Sequence, residues 1–302
     1  MHNFKFYREL ILILSVFLFF ACKNVEKPNV IFVFADQWRA QDFGYVGNKQ
    51  VKTPNIDKLA SEAIVFRNTI SNIPVCTPAR ASLMTGQYPL THGLFYNDKP
   101  LATSAICIAE IYKVHGYETG YIGKWHINGH DHSVSVWEGR KIPVPKERRQ
   151  GFDFWRVHEC THDYNNSVYF DEDNVGHKWD GYDAIEQTEE AIKYINEHKD
   201  DPFLLFLSWG PPHAPYETAP EEFKEIYRSM DISLRPNVPE DFKERATEWI
   251  RGYYAHMTAL DMCIDKLQQA IREAGIEKNT IFVFTSDHGD MLGSHGRTKK
   301  QQ

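Results

Sequence analysis

Three stretches of the chain are apolar without interruption, and each stops abruptly at polar residues. Asn29-Val30-Ile31-Phe32-Val33-Phe34-Ala35 ends at Asp36. Pro202-Phe203-Leu204-Leu205-Phe206-Leu207-Ser208-Trp209 ends at Gly210-Pro211-Pro212-His213. Thr280-Ile281-Phe282-Val283-Phe284-Thr285 ends at Ser286-Asp287-His288-Gly289. Runs this short, with no polar alternation, predict strands covered on both faces, as in a parallel sheet. Tyr117-Glu118-Thr119-Gly120-Tyr121-Ile122-Gly123 is a weaker fourth strand, followed by Lys124-Trp125-His126.

Helical periodicity lies between these runs. Thr53-Pro54-Asn55 opens a helix with Ile56, Leu59, Ala60 and Ala63 on one face, its proline in the first turn where no hydrogen bond is lost. Asp183 is placed to cap a second helix, with Glu186 answering three positions on and Ile185, Thr188, Ile192 and Ile195 as its stripe. The longest helix runs from about Phe242 to Ala274, carried by Trp249, Tyr253, Met257, Leu260, Ile264, Leu267 and Ile271 and ended by Gly275. Alternating strands and helices predict an α/β fold, a mostly parallel central sheet flanked by helices. The segment from Gly129 to Gly181 has no clear period and reads as loops and short elements over the sheet edge. Its Arg140, Arg148, Arg149, Trp155, His162 and Trp179 read as ordinary surface.

This reading places Asp36, Lys124, His126, His213, Asp287 and His288 just past the C-terminal ends of strands. Open α/β sheets bind ligands at that edge. The formal net charge of −7 argues against broad nucleic-acid binding. It leaves room for an anionic substrate, because a few buried cations and a metal dominate a pocket. A length of 302 residues, 42% hydrophobic and 25% charged, is ordinary for one large or two smaller globular domains.

The N-terminus reads as a targeting segment. Lys5 and Arg8 precede an apolar run from Leu10 to Phe20, short of the about 20 residues a membrane span needs. Ala21-Cys22 then resembles a lipobox, so Cys22 is a lipidation candidate, with plain secretion and nearby cleavage as the alternative. Among the five cysteines, Cys107, Cys160 and Cys263 have no assigned chemistry. Export would allow two of them to pair, and Cys263, on the apolar face of the long helix, reads as a buried thiol.

The densest chemistry is at Cys76-Thr77-Pro78-Ala79-Arg80, followed by Ala81-Ser82-Leu83-Met84-Thr85-Gly86. Pro78 and the helix formers after it predict a helix starting beside residue 76, whose N-terminal amides favour an anion. Arg80, four residues on, falls on the same side. Asp36 and Asp287 on one sheet edge suit a hard divalent ion. His213 sits in the stiff Pro211-Pro212-His213-Ala214-Pro215 loop, and His295-Gly296-Arg297-Thr298-Lys299-Lys300 ends the chain's last motif. Together these motifs resemble the type I, formylglycine-dependent sulfatase family of the alkaline-phosphatase superfamily, over most of the chain from about Asn29.

The resemblance implies a sulfuric ester hydrolase with an alkaline-phosphatase-like fold. It implies a signal peptide over 1–22, a linker over 23–28 and a catalytic domain over 29–302 whose C-terminal part lies outside this chain. Cys76 would be oxidised to formylglycine by a maturation enzyme. One hydroxyl of the hydrated aldehyde would attack sulfur; the other would then lose its proton, reform the aldehyde and expel sulfate, an exit that a thiol lacks. Arg80 would hold the hydrate. Lys124 would bind a sulfate oxygen and His126 the hydrate, on one side of the strand by alternation. His213 would protonate the leaving alcohol. Lys300, rather than Lys299, would hold the sulfate. Asp36, Gln37, Asp287 and His288, with residue 76, would bind Ca2+ or another divalent ion such as Mg2+, which polarises the sulfate. Gln37 departs from the family, many members of which carry a second Asp there. Export suits sulfated carbohydrates as substrates, and a periplasmic or outer-membrane lipoprotein of a bacterium, touching the membrane only through its anchor. The competing readings are a phosphonate or phosphate ester hydrolase of the same superfamily and, if Cys76 stays unmodified, a non-catalytic binder of sulfated glycans.

Overall fold

Seven strands make one sheet in the order β5-β4-β3-β2-β6-β1-β7. They are β1 (Asn29–Asp36), β2 (Glu118–Lys124), β3 (Phe154–His158), β4 (Val168–Phe170), β5 (Gly176–Lys178), β6 (Phe203–Pro212) and β7 (Thr280–Ser286). The computed structural model describes residues 27–130 and 133–300, so Cys22 and the apolar run before it lie outside the described residues. The pairs β1–β6, β1–β7, β2–β3 and β2–β6 are parallel, and β3–β4 and β4–β5 are antiparallel.

The apolar runs form the centre of the sheet because they serve two cores at once. Along β1 and β6, Ile31, Val33, Leu205, Leu207 and Trp209 enter one core, and Val30, Phe34, Leu204 and Phe206 enter the other. Successive residues of a strand face opposite ways, so a strand covered on both sides must be apolar throughout.

The helices are α1 (Pro54–Glu62), α2 (Cys76–Thr85), α3 (Pro89–His92), α4 (Ile108–Val114), α5 (Val136–Gly139), α6 (Asp183–His198), α7 (Glu221–Tyr227) and α8 (Lys243–Glu273). Helices α6 and α8 pack on the first core, where α8 buries Tyr253, Met257, Leu260, Ile264 and Leu267. Helices α2 and α4 contribute Ala81, Met84 and Ala109 to the second.

Three expectations change. The segment Gly129–Gly181 contains β3, a parallel strand of the sheet rather than a cover over its edge. Its apolar signal is short, Phe154-Trp155 and Val157 being interrupted by Arg156 and followed by His158. Trp155 and Val157 enter the second core, while Arg156 points the other way and pairs with Glu172 and Glu190. Arg140, Arg149, Trp155 and Trp179 are buried, Arg149 lying over the Trp155 ring. Arg148 is half-buried and donates to Asn128 Oδ1 (2.7 Å) and the Leu101 carbonyl (2.8 Å).

Asp183 is the first residue of α6 rather than its cap. The cap position is Tyr182, and no side chain caps it. Burial pushes the Asp183 carboxyl up to about 8. Finally, Cys107, Cys160 and Cys263, like Cys76, are free buried thiols, so the allowed disulfide does not form among the described residues.

Candidate active site

The C-terminal ends of β1, β2, β6 and β7 converge with the N-terminus of α2. At the end of β1 the pairing with β6 shifts register between Ala35 and Asp36, and Gln37 turns out with a φ of 73°. Asp36 and Gln37 are wholly buried there. Asp287 and His288 follow β7, and Lys124 ends β2. Gly123, with a φ of 101°, lets β2 close on β6, since a Cβ there would overlap the Ser208 carbonyl. Helix α2 starts at Cys76 after an extended Val75, so residue 76 faces these strand ends with the first-turn amides behind it.

The Cys76 sulfur marks where the oxygens of a formylglycine hydrate would stand. It lies 3.5 Å from both Asp36 carboxylate oxygens, 3.2 Å from His288 Nε2, 2.9 Å from Lys300 Nζ and 3.8 Å from Lys124 Nζ. Lys124 is also ion-paired with Asp36. Arg80 runs beneath them, fully buried. Its Nη1 donates to the Lys124 carbonyl (2.8 Å) and Ser208 Oγ (2.7 Å), and its Nη2 faces Asp36 (3.3 Å) and Asp287 (3.2 Å). Arg80 therefore braces the carboxylates that border residue 76. Lys300 Nζ donates to Gln37 Oε1 at 2.9 Å, whereas the Lys299 carbonyl accepts from Met291 N at 2.7 Å. His295 lies away from this cluster, beside Asn237.

Opposing charges set the protonation pattern. Burial pushes the Asp36 carboxyl up, but Lys124 and Lys300, with Arg80, outweigh it and hold the group well below the usual carboxylate range. Burial and the charge of Asp36 push the Asp287 carboxyl up. Burial and Asp36 also raise the Cys76 thiol, yet Lys124, Lys300 and His288 leave it well below the usual thiol value.

A divalent cation fits these residues. One ligand atom each from Asp36, Cys76, Asp287 and His288 lies within 4.8 Å of the others, and all four side chains are buried. The charge of Asp36 raises the proton affinity of Asp287, and with the His288 imidazole the two carboxylates form a donor set of mixed O and N in which a cation relieves the repulsion.

The Sulfatase family profile matches residues 28–302. The chain belongs to the sulfatase family. It is 46% identical over 272 residues to an ulvan-active sulfatase of Formosa agariphila, covering 89% of this chain and 52% of that protein. It is 29% identical over 309 residues to an endo-4-O-sulfatase of Bacteroides thetaiotaomicron, covering 90% and 60%. Its fold is similar to the crystal structure of YidJ from Bacteroides fragilis, with a TM-score of 0.85 and 34% identity over 93% of this chain and 68% of that one. The chain thus spans little more than half the length of the first two relatives.

Two sulfatase motif residues stand further out. His126 is not on β2, which ends at Lys124; it has a φ of 60°, so strand alternation does not place it beside Lys124. Its carbonyl accepts from Thr77 Oγ1 (2.7 Å), and its Nε2 lies 3.3 Å from Asp98 Oδ1. His213 is buried at the end of β6 with its Nδ1 2.8 Å from the Ala214 carbonyl, which leaves Nε2 for the site. Burial and Lys300, with a further push from Lys124, lower its pKa to about 3 against the opposing pull of Asp36.

These two histidines are joined by residues the sequence did not single out or dismissed. Asp98 binds Arg140 through two bonds of 2.7 Å. Arg140 lies over the Trp137 ring, Trp137 meets His162 edge-on, and His162 stacks on His213 at 4.4 Å. No local pattern marks Asp98, a single residue with a φ of 63° in a loop. His162 carried a faint signal, because it falls four residues past the end of β3. Asp290, three residues past Asp287, was the plainest omission.

Proposed function

We propose that this protein hydrolyses sulfate esters of sulfated carbohydrates, with residue 76 as nucleophile after oxidation of its cysteine to formylglycine. The observation that carries the reading is the ring around the Cys76 sulfur: Asp36, His288, Lys124 and Lys300, all within 3.8 Å. Formylglycine would supply a hydrate with one hydroxyl to attack and a second to expel sulfate. Asp36, Gln37, Asp287 and His288 would hold a divalent cation, Ca2+ first among those to test, which would polarise the sulfate.

The chain's own residues do the rest. Lys124 and Lys300 approach residue 76 from two directions and bind the sulfate oxygens as charge builds on them. Arg80 keeps Asp36 and Asp287 in place without reaching solvent. His213 starts neutral. An anionic sulfate between Lys124 and Lys300 offsets the charges that depress it, so substrate arrival raises its proton affinity and readies Nε2 to protonate the leaving sugar oxygen. The ulvan-active relative makes ulvan oligosaccharides the first carbohydrate to test. The N-terminal segment supports export of the protein, with a lipid anchor at Cys22. Cys76 would meet its maturation enzyme before burial in the fold.

The test is a parallel assay of an aryl sulfate and an aryl phosphonate, with mass spectrometry of the peptide that holds residue 76. Sulfate turnover by protein whose residue 76 has the formylglycine mass is expected. A preference for phosphonate, or an unmodified thiol from a host with the maturation enzyme, overturns the assignment.

A further inference from the structure

The two ends of the Gln37 side chain face different partners. Its Nε2 donates to Asp290 Oδ2, and its Oε1 accepts from Lys300 Nζ at 2.9 Å. Lys300 Nζ is also 2.9 Å from the Cys76 sulfur, so the amide oxygen borders the reacting position. Asp290 is itself pinned. Tyr216 donates its hydroxyl to the same Oδ2 at 2.5 Å, and Leu292 N donates to Oδ1 at 2.8 Å. Tyr216 reaches this point because Gly252 lets α8 close on its backbone; a Cβ there would overlap the Tyr216 carbonyl. Asp290 is 8% exposed and Gln37 wholly buried.

We propose that Asp290, held by Tyr216, is a positioning residue that turns the Gln37 carbonyl toward the cation site, and that it dictates an amide at position 37. The inference rests on the metal reading above. A carboxylate only accepts hydrogen bonds, so the end of residue 37 that faces Asp290 must donate. An amide satisfies this and, being planar, aims its oxygen the opposite way. A carboxylate at 37 would set two acceptors face to face in a buried site, at the cost of an unsatisfied or unpaired charge. The backbone of residue 37 leaves little freedom to escape: its N donates to Asp287 Oδ1 (3.0 Å) and its carbonyl accepts from Tyr253 (2.6 Å). The negative charge absent from position 37 is thus carried one residue outward, at Asp290.

The experiment titrates Ca2+ into the full chain by calorimetry and follows the Ca2+-dependent rise in Tm. It compares wild type, Asp290→Asn, Tyr216→Phe, Gln37→Glu and the exchange Gln37→Glu/Asp290→Asn. Asp290→Asn is expected to weaken Ca2+ binding about 10- to 100-fold, as loss of outer partners of metal ligands does. Gln37→Glu should also weaken it, despite its added charge. The exchange should recover affinity to within about threefold of wild type, since the amide introduced at position 290 donates to the carboxylate introduced at position 37 and frees that carboxylate's other oxygen. Tyr216→Phe, a milder change that keeps the fold if Asp290→Asn does not, should weaken binding in the same direction. A lower metal-free Tm with unchanged Ca2+ affinity makes Asp290 merely structural and overturns the proposal, as does an exchange whose effects simply add. A wild-type protein with no Ca2+ response sinks the metal reading itself, and this inference with it.

Discussion

The floor of the site and its rim are built by different means. The floor is Asp36, Cys76, Arg80, Lys124, Asp287 and His288, set by strand ends and one helix, with Lys300 reaching in from the segment after β7. Most of its members are wholly or almost wholly buried and in direct ionic contact. The rim is Asp98, His126, Trp137, Arg140, His162 and His213. It comes from loops and from α5, and contact passes along it from ring to ring, with Trp137 56% exposed. The difference teaches a division of labour. In the proposed reaction the buried, charge-paired floor would handle the sulfate, which every substrate shares. The half-open aromatic rim would meet the sugar, which varies. On this reading the rim would enter the chemistry through His213.

The largest effect should come from the floor. Cys76→Ala is expected to drop aryl sulfate turnover to the uncatalysed background while the protein still unfolds cooperatively near the wild-type Tm. Retained turnover would mean that residue 76 is not the nucleophile.

His213→Ala tests the link. On a sulfated sugar, whose alcohol needs a proton to leave, turnover should fall about 10²- to 10⁴-fold, the range for loss of a general acid. On 4-nitrophenyl sulfate, whose leaving group is stable as an anion, the loss should be far smaller. Equal losses on both substrates would move His213 from the rim to the floor.

Trp137→Ala should raise KM for sulfated oligosaccharides by roughly two- to tenfold, the scale of one aromatic contact, and leave aryl sulfate kinetics unchanged. A fall in kcat on both substrates would show that the rim shapes the floor as well.

The smallest effect concerns stability. His126 and Arg140, against the cost of burial, hold the Asp98 carboxyl well below its usual value. A group whose folded pKa is depressed contributes stability that is present above its unfolded value of about 3.9 and is lost as pH falls toward the folded one. Asp98→Asn should therefore lower Tm by about 2–4 °C at pH 7, and the gap should close below about pH 4. A gap that does not change between about pH 7 and pH 3 would mean that Asp98 acts by shape and not by charge.

Much of the floor was legible because Asp36, Asp287 and His288 sit at ends of strongly apolar runs, whereas the roles of Arg80 and Lys300 were implied by the resemblance. Burial on both faces forces such runs to be unbroken, and the chain marks their ends by turning polar at Asp36, His213 and Asp287. Helix chemistry placed residue 76 in the same way, through Pro78 and the helix formers behind it. Alternation failed for His126, where the strand stops two residues earlier and a left-handed turn intervenes. It was overlooked in β3, where Arg156 and His158 break the apolar signal although Trp155 and Val157 are core. Asp98, His162 and Asp290 meet the site through partners distant in the chain, His126, His213 and Gln37.

Local sequence, then, was enough to define β1, β2, β6 and β7, the long helix and the polar residues at those strand ends. These are dictated by periodicity and by the polar residues that interrupt it, both of which act over a few neighbours. Which way the Gln37 amide points, which acid steadies His126 and which ring covers His213 emerged only when distant segments closed on each other. Hydrogen bonds and ring contacts are matters of ångströms and angles, and a one-dimensional pattern carries neither.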